Sequence, residues 1–421
     1  MRRKYSLIIL VTIFFFLIGS TAWAEFSTAN PEEVGLSSER LNRISATLKA
    51  HIEKGVIPGA VVLVIRNGKI AYFESFGMRD LTKSLPMEKD TIFQIYSMSK
   101  PITSVAAMIL HEQGRFYLGD PISKFIPEFK QMKVGVETKD AATGEMTFST
   151  EPAKSEITMH DLLRHTSGLT YAFMGTSKIN LMYKEAGLSN PDQTLEEMVM
   201  KISKLPLVSQ PGTRWGYSRS TDVLGRVIEK ISGMTLDKYV EQNILKPLQM
   251  NDTGYYVNPE KIENVAMPGA KANWPSHYPA SPPKLPLGGS GMVSTAHDYA
   301  HFMQMLLNGG QLDGARLLGR NTVEYMTADH LGTDIPKKGP GYFLGEGTGF
   351  GLGFAVRESL GVPQLPGKVG DYAWMGAGGT SFFISPSEKL CSVFMTEANN
   401  MGIMAYYARL MKTLVMQAIV D

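Results

Sequence analysis

The sequence predicts an α/β (α+β) fold. One antiparallel sheet is built from both ends of the chain and flanked by helices, with a mainly helical domain inserted between its halves. Three observations predict it. Near the start, Asn67-Gly68 stands between two β-rich runs, 59–66 and 69–76, the strongest short hairpin signal a sequence offers. Near the end, 380–385 and 390–396 read as strands joined by the turn-prone Ser385-Pro386-Ser387. Between roughly 115 and 345 the pattern becomes helical segments separated by Gly/Pro-rich loops, with no clear period-2 run. The expected organisation is a discontinuous sheet domain of 25–115 and 345–421 and an inserted helical domain of 116–344, with 1–24 set apart.

In chain order, Arg2, Arg3 and Lys4 precede an uncharged apolar run from Tyr5 to Gly19, and Ala22-Trp23-Ala24 supplies an A-x-A cleavage pattern. Residues 1–24 therefore read as a secretory signal peptide cut before Glu25. The run is short for a membrane span of about 20 residues. A periplasmic or secreted protein with no stable membrane anchor after cleavage is expected. Leu36-Ser37 then precedes Leu41, Ile44, Leu48 and Ile52, a helical stripe that stops at Gly55. The hairpin follows, then a helix from Ser97 towards Gly114, and a long apolar helix over 403–419 closes the chain. The densest loop is 279–286, and no internal repeat appears.

Ser97-Met98-Ser99-Lys100, followed by Pro101 and an apolar stretch, carries the chemistry. Residues at i and i+3 share a helix face, so the Lys100 amine would stand near the Ser97 hydroxyl. Serine is a weak nucleophile until a base takes its proton, and a desolvated lysine can do that. Pro101 is tolerated only in a helix's first turn, which places the helix start, with its free N–H groups, beside Ser97. A second S-x-x-K match, Ser281-Pro282-Pro283-Lys284, has two adjacent prolines that forbid a shared helix face. Tyr217, in Tyr217-Ser218-Arg219, could hand a phenolic proton into the pair, and Tyr256-Val257-Asn258 competes with it from a turn-rich segment. Trp374-Met375-Gly376-Ala377-Gly378-Gly379-Thr380 enters a strand through small residues that let a ligand approach the backbone.

Composition narrows the function further. Loss of 1–24 removes three positive charges and no negative ones, taking the formal net charge from +2 to −1. That offers no basic field for nucleic acid or anionic membrane. Cys391 is the only cysteine, so no intramolecular disulfide forms, and its apolar surroundings mark a small core residue. His165 reads as a structural hydrogen-bonder in a turn. His297 and His301 are spaced i, i+4 on a helix but lack the partners of a zinc site, so no metal and no cofactor is expected. No G-x-S-x-G occurs, which excludes a nucleophile elbow.

Taken together, these residues resemble the serine β-lactamase and penicillin-binding-protein superfamily. The likeness is to its class C-related branch, which includes the family VIII carboxylesterases. The resemblance spans nearly all of 25–421. It includes Glu33-Val34-Gly35-Leu36-Ser37, the Asn67-Gly68 hairpin, Leu162-Leu163-Arg164-His165-Thr166-Ser167-Gly168-Leu169 and Gly288-Gly289-Ser290-Gly291-Met292. It implies Ser97 as the acylated nucleophile, Lys100 as its activating partner and Tyr217 as the tyrosine that passes a proton to the leaving group. It implies an oxyanion hole from the N–H groups of Ser97 and Ala377, and substrate contacts at Trp374, Gly376 and Arg219. Two departures matter. Arg219 stands where the family has the asparagine of Y-x-N, and Trp374 stands where β-lactamases carry a cation that grips the substrate's carboxylate. The expected function is hydrolysis of small carboxylic esters through a Ser97 acyl-enzyme. The alternatives are a β-lactamase or D,D-peptidase acting on carboxylate-bearing amides, and a non-catalytic penicillin-binding-like protein.

Overall fold

The computed structural model describes residues 26–421 apart from Asp140 and Pro340; the expected signal peptide lies outside the described residues. Helix α1 (Ser38–Glu53) leads into strands β1 (Gly59–Arg66), β2 (Lys69–Asp80), β3 (Leu85–Pro86) and β4 (Phe93–Gln94), then helix α2 (Ser99–Glu112). A hairpin follows, β5 (Lys133–Lys139) and β6 (Met146–Pro152), then helix α3 (Ser220–Ser232), strand β7 (Val293–Ser294) and helix α4 (Ala296–Leu307). The chain closes with β8 (Thr348–Phe350), β9 (Ala355–Arg357), β10 (Tyr372–Met375), β11 (Ser381–Ser385), β12 (Leu390–Met395) and helix α5 (Met401–Met416). Shorter helices between α2 and α3, including Met159–Leu163, complete the middle of the chain.

The main sheet has eight strands in the order β8-β9-β10-β11-β12-β1-β2-β3, and its pairs are antiparallel. Within it β1 pairs with β12, Val61 opposite Met395 through Arg66 opposite Leu390, so strands from the two ends of the sequence meet there. All eight residues of β1 are buried, because both faces of the sheet are covered. Strand alternation sends Val61, Leu63 and Ile65 into the large core shared with α2, α3 and α4. Ala60, Val62 and Val64 point the other way, onto Leu41, Ile44 and Leu48 of α1 and Tyr407, Met411 and Val415 of α5. Ser37 caps α1 by accepting from the Arg40 N–H at 3.3 Å. The β1–β2 turn has positive φ at both Asn67 (53°) and Gly68 (75°), the conformation that selects Asn-Gly between twisted strands.

The α/β class and the antiparallel sheet are as expected, and the structure adds strands. The β5–β6 hairpin falls within the stretch expected to be helical and looped. All seven residues of β6 are exposed, so no core face forces an alternating pattern on its sequence. Strands β8 and β9 have three residues each, too short for any period to register. Among the described residues no helix is long and apolar enough to cross a membrane.

Candidate active site

Ser97 lies in a single 3-10 turn, Tyr96–Met98, that runs straight into α2. The residue before it, Tyr96, has φ +43°, a left-handed conformation that a bulky residue holds only when its surroundings enforce it. Those surroundings are visible. The Ile95 N–H donates to Met292 O (3.0 Å), the Ser99 hydroxyl donates to Tyr96 O (2.7 Å), and the Tyr299 hydroxyl donates to Met98 O (3.0 Å). Pro101 is the third residue of α2, where its missing N–H breaks no helical bond.

Two polar hydrogens meet the Ser97 hydroxyl. Tyr217 donates to Ser97 Oγ at 2.5 Å, and Lys100 Nζ stands 3.3 Å from it. Lys100 is 1 % exposed, donates to Gly289 O at 2.7 Å, and lies 4.5 Å from the Tyr217 ring and 5.4 Å from the Tyr171 ring. Burial pushes its amine down to about 7; Asp222 pulls the other way and Arg219 reinforces the fall. Burial likewise drives the Tyr217 phenol above its ordinary range, so it keeps its proton and is a donor at neutral pH.

Tyr217 is aimed from behind by a braced turn. His165 has φ +58°, and its carbonyl accepts from the Gly216 N–H at 2.8 Å. Its Nδ1 contacts Ser218 Oγ (3.3 Å), and Ser218, Ser220 and Ser167 form a chain of buried hydroxyls into the start of α3. The His165 ring packs against Tyr217 at 5.2 Å, and burial, aided by Lys100, holds it well below the ordinary histidine range. It is a neutral strut that does not reach Ser97.

Arg219 is engaged elsewhere. Its guanidinium donates to Asp222 Oδ2 (3.1 Å) and Ser189 Oγ (2.8 Å) and stacks over Tyr171 (5.0 Å). Asp222, fully buried, accepts from the Gly289 N–H at 2.8 Å. A line of contacts thus runs Arg219–Asp222–Gly289–Lys100, and Arg219 acts on the site through that line.

Trp374 is buried in β10 and packs against Tyr217 (5.6 Å), Phe350 (5.3 Å) and the half-exposed Phe343 (6.4 Å). Its indole N–H faces the Tyr217 hydroxyl outside hydrogen-bond geometry and has no hydrogen-bond partner among the described residues. Beyond β10 the chain bends through 376–378 against the nucleophile turn. A Cβ on Gly376 would stand 2.3 Å from Ile95 O, and one on Gly378 would stand 2.8 Å from the Tyr96 ring, so only glycine fits at either. The Gly376 N–H is spent on Thr380 O (2.8 Å). Ala377, between two buried glycines, is half-exposed, and among the described residues its N–H donates to no backbone group.

The structure therefore brings Ser97, Lys100, Tyr217, Trp374 and the Gly376–Ala377 bend to one place. It leaves the competing matches outside: Ser281 is exposed in a loop without helix, and Tyr256 is exposed on a turn. His297 and His301 face each other on α4 at 4.8 Å, with His301 Nδ1 against Leu248 O (2.8 Å), remote from Ser97 in the contacts they make. Three participants were not legible beforehand: Tyr171 beside the Lys100 amine, Asp222 under Arg219, and the Gly289 carbonyl. The one available signal was Asp222 three residues after Arg219, ion-pair spacing on a helix.

Comparison with known proteins identifies the family and the fold. The family profile described as beta-lactamase matches residues 44–412. Protein Rv1367c of Mycobacterium tuberculosis is 34% identical over 367 residues, covering 84% of this chain and 88% of that protein. Esterase EstB of Burkholderia gladioli is 27% identical over 388 residues, covering 86% and 91%. The solved structure of EstCE1, a hydrolase with promiscuous acyltransferase activity, superposes with a TM-score of 0.74 at 26% identity, covering 90% of this chain and 99% of that one.

Proposed function

This chain belongs to the beta-lactamase family, a serine hydrolase family, and on that premise we propose that it is a carboxylesterase acting through an acyl-enzyme on Ser97. The observation that carries the reading is the pairing of Tyr217 and Lys100 on Ser97 Oγ beside an indole rather than a cation. With its amine near 7, Lys100 is neutral often enough to take the Ser97 proton as Oγ attacks the ester carbonyl. The N–H groups of Ser97 and Ala377 receive the oxyanion, each worth on the order of 3 kcal/mol in the transition state. Tyr217 gives its phenolic proton to the departing alcohol and regains one from Lys100. Water then attacks the acyl-enzyme through the same groups in reverse, restoring the starting protonation. Lys100 and Tyr217 titrate as a coupled pair, so their apparent values belong to both.

Trp374 supports neutral substrates. With Arg219 committed to Asp222 and Ser189, the wall beside Ser97 is Trp374, Phe343 and Tyr217, which suits an apolar acyl or alcohol group. A substrate carboxylate would there forgo a charge-assisted hydrogen bond, about 1.5–3 kcal/mol. The cleft between the sheet domain of 25–115 and 345–421 and the helical insert of 116–344 is the proposed substrate entrance. Residues 1–24 support a place of work in the periplasm or outside the cell. The test is a panel of neutral short-chain esters run beside a chromogenic cephalosporin on purified protein. Ester turnover should exceed cephalosporin turnover by roughly ten- to a hundredfold; a robust preference for the cephalosporin would give the β-lactamase reading the site instead.

A further inference from the structure

Behind the nucleophile turn lies a buried polar cluster that the proposed reaction does not use. Glu397, two residues beyond β12, is fully buried, and no lysine or arginine among the described residues pairs with it. Its Oε2 accepts from the Gln94 N–H (3.1 Å) in the strand that enters the Ser97 turn, and its Oε1 accepts from the Ser276 hydroxyl (2.7 Å). The next two residues, Ala398 and Asn399, both donate their N–H groups to Gly378 O (2.7 and 3.1 Å), at the end of the bend that presents Ala377. Asn399 also accepts from the Tyr96 hydroxyl (3.3 Å), which in turn accepts from the Trp274 N–H (3.1 Å). One short segment therefore ties together the strained turn of Ser97, the 274–278 loop and the bend at 376–378.

The hydrogen count favours a protonated carboxyl. The Tyr278 hydroxyl has a single hydrogen, and its shortest contact is Ala266 O at 2.5 Å. Its oxygen also lies 3.0 Å from Glu397 Oε2. With the Tyr278 hydrogen on Ala266, that second contact is a hydrogen bond only if Glu397 supplies the hydrogen. Every contact in the cluster is then satisfied, and no unpaired charge is buried.

We propose that Glu397 is a positioning residue for the esterase reaction: as a neutral carboxylic acid it locks the Gln94 strand and the 276–278 loop against the bend that carries Ala377. Loss of its proton puts an uncompensated carboxylate under the oxyanion hole and loosens it. Burial supports this, since it pushes the Glu397 carboxyl up to about 8 against the pull of the Ser276 and Gln94 donors. The titratable groups that face it are Tyr96 and Tyr278, both held above the ordinary phenol range by burial; His277 of the same loop is exposed. Because the oxyanion hole acts in the transition state, ionisation should lower kcat and leave KM nearly unchanged.

The inference rests on the esterase reading for its kinetic consequence but not for its proton. The first measurement is therefore a carbon-13 titration of glutamate-labelled protein, with Glu397→Gln identifying the Glu397 signal. A carboxylic acid at pH 7 that ionises between about 7 and 9 is expected; a carboxylate already present at pH 6 overturns the proposal whether or not any ester is hydrolysed. The second is the pH dependence of kcat on a neutral ester. The native chain should lose about tenfold per pH unit above the Glu397 transition. E397Q should abolish that alkaline limb, while costing up to about tenfold in kcat near pH 7 because an amide nitrogen cannot accept from Gln94. Should E397Q fail to fold, Ser276→Ala serves: it removes a bond that favours the carboxylate, so the limb moves to higher pH. An alkaline limb unmoved in the folded variant overturns the proposal.

Discussion

Substituting the two ends of the buried Arg219–Asp222 pair should move the enzyme's acid limb in opposite directions. In the proposed mechanism the limb is set by Lys100, which must be neutral to act as base and whose amine burial brings down to about 7. Arg219 lies 5.0 Å and Lys100 5.4 Å from the Tyr171 ring centre, so the two cations are no more than about 10 Å apart. At an effective dielectric constant of about 20, that separation is worth about 1.6 kcal/mol, roughly one pH unit. Arg219→Asn removes the repulsion, so the ammonium form gains and the limb moves up towards 8. Asp222→Asn removes the attraction, so the ammonium form loses and the limb moves down towards 6. Either change strands a buried charge, and breaking such a pair costs about 3–5 kcal/mol of stability. The assay is kcat/KM on a neutral ester from pH 5 to 9, with urea unfolding of each variant alongside. Limbs that shift together, or stay in place while both variants lose stability, would refute Lys100 as the base held by this network.

Gly376→Ala should leave a folded protein with at least about tenfold lower kcat, because its Cβ would stand 2.3 Å from Ile95 O and push the bend away from Ser97; circular dichroism with single-turnover kinetics checks both halves. Phe343→Ala removes part of the apolar wall and should raise KM for longer-chain esters by about tenfold, against little change for acetates, measured across a chain-length series. N-terminal sequencing of exported protein should find Glu25 first, and a retained Met1 in the membrane fraction would mean an anchor.

Legibility in the sequence followed the range of the interaction. The β1–β2 hairpin and α1 were readable because an Asn-Gly turn and a capped apolar stripe are local signals. Ser97 and Lys100 were readable for the same reason, being one turn apart. The support of Lys100 was not. Gly289 lies 189 residues away from it, and Asp222 reaches Gly289 across 67. Arg219 illustrates the difference: the resemblance implies a substrate contact, while its partners are the buried carboxylate of Asp222 and the Ser189 hydroxyl. The β5–β6 hairpin was missed because its exposed residues need no alternation, and Glu397 because a lone acid after a strand gives no hint that two distant segments will close over it.

Ser97 is the proposed nucleophile of an acyl-transfer site assembled with Lys100 and Tyr217. The most direct test of that role is peptide mapping by mass spectrometry after treating the protein with a fluorophosphonate. One adduct is expected, on the peptide bearing Ser97, absent in Ser97→Ala and slowed by at least about a hundredfold in Lys100→Ala. An adduct on Ser281 or another serine, or labelling that persists in Ser97→Ala, would contradict it.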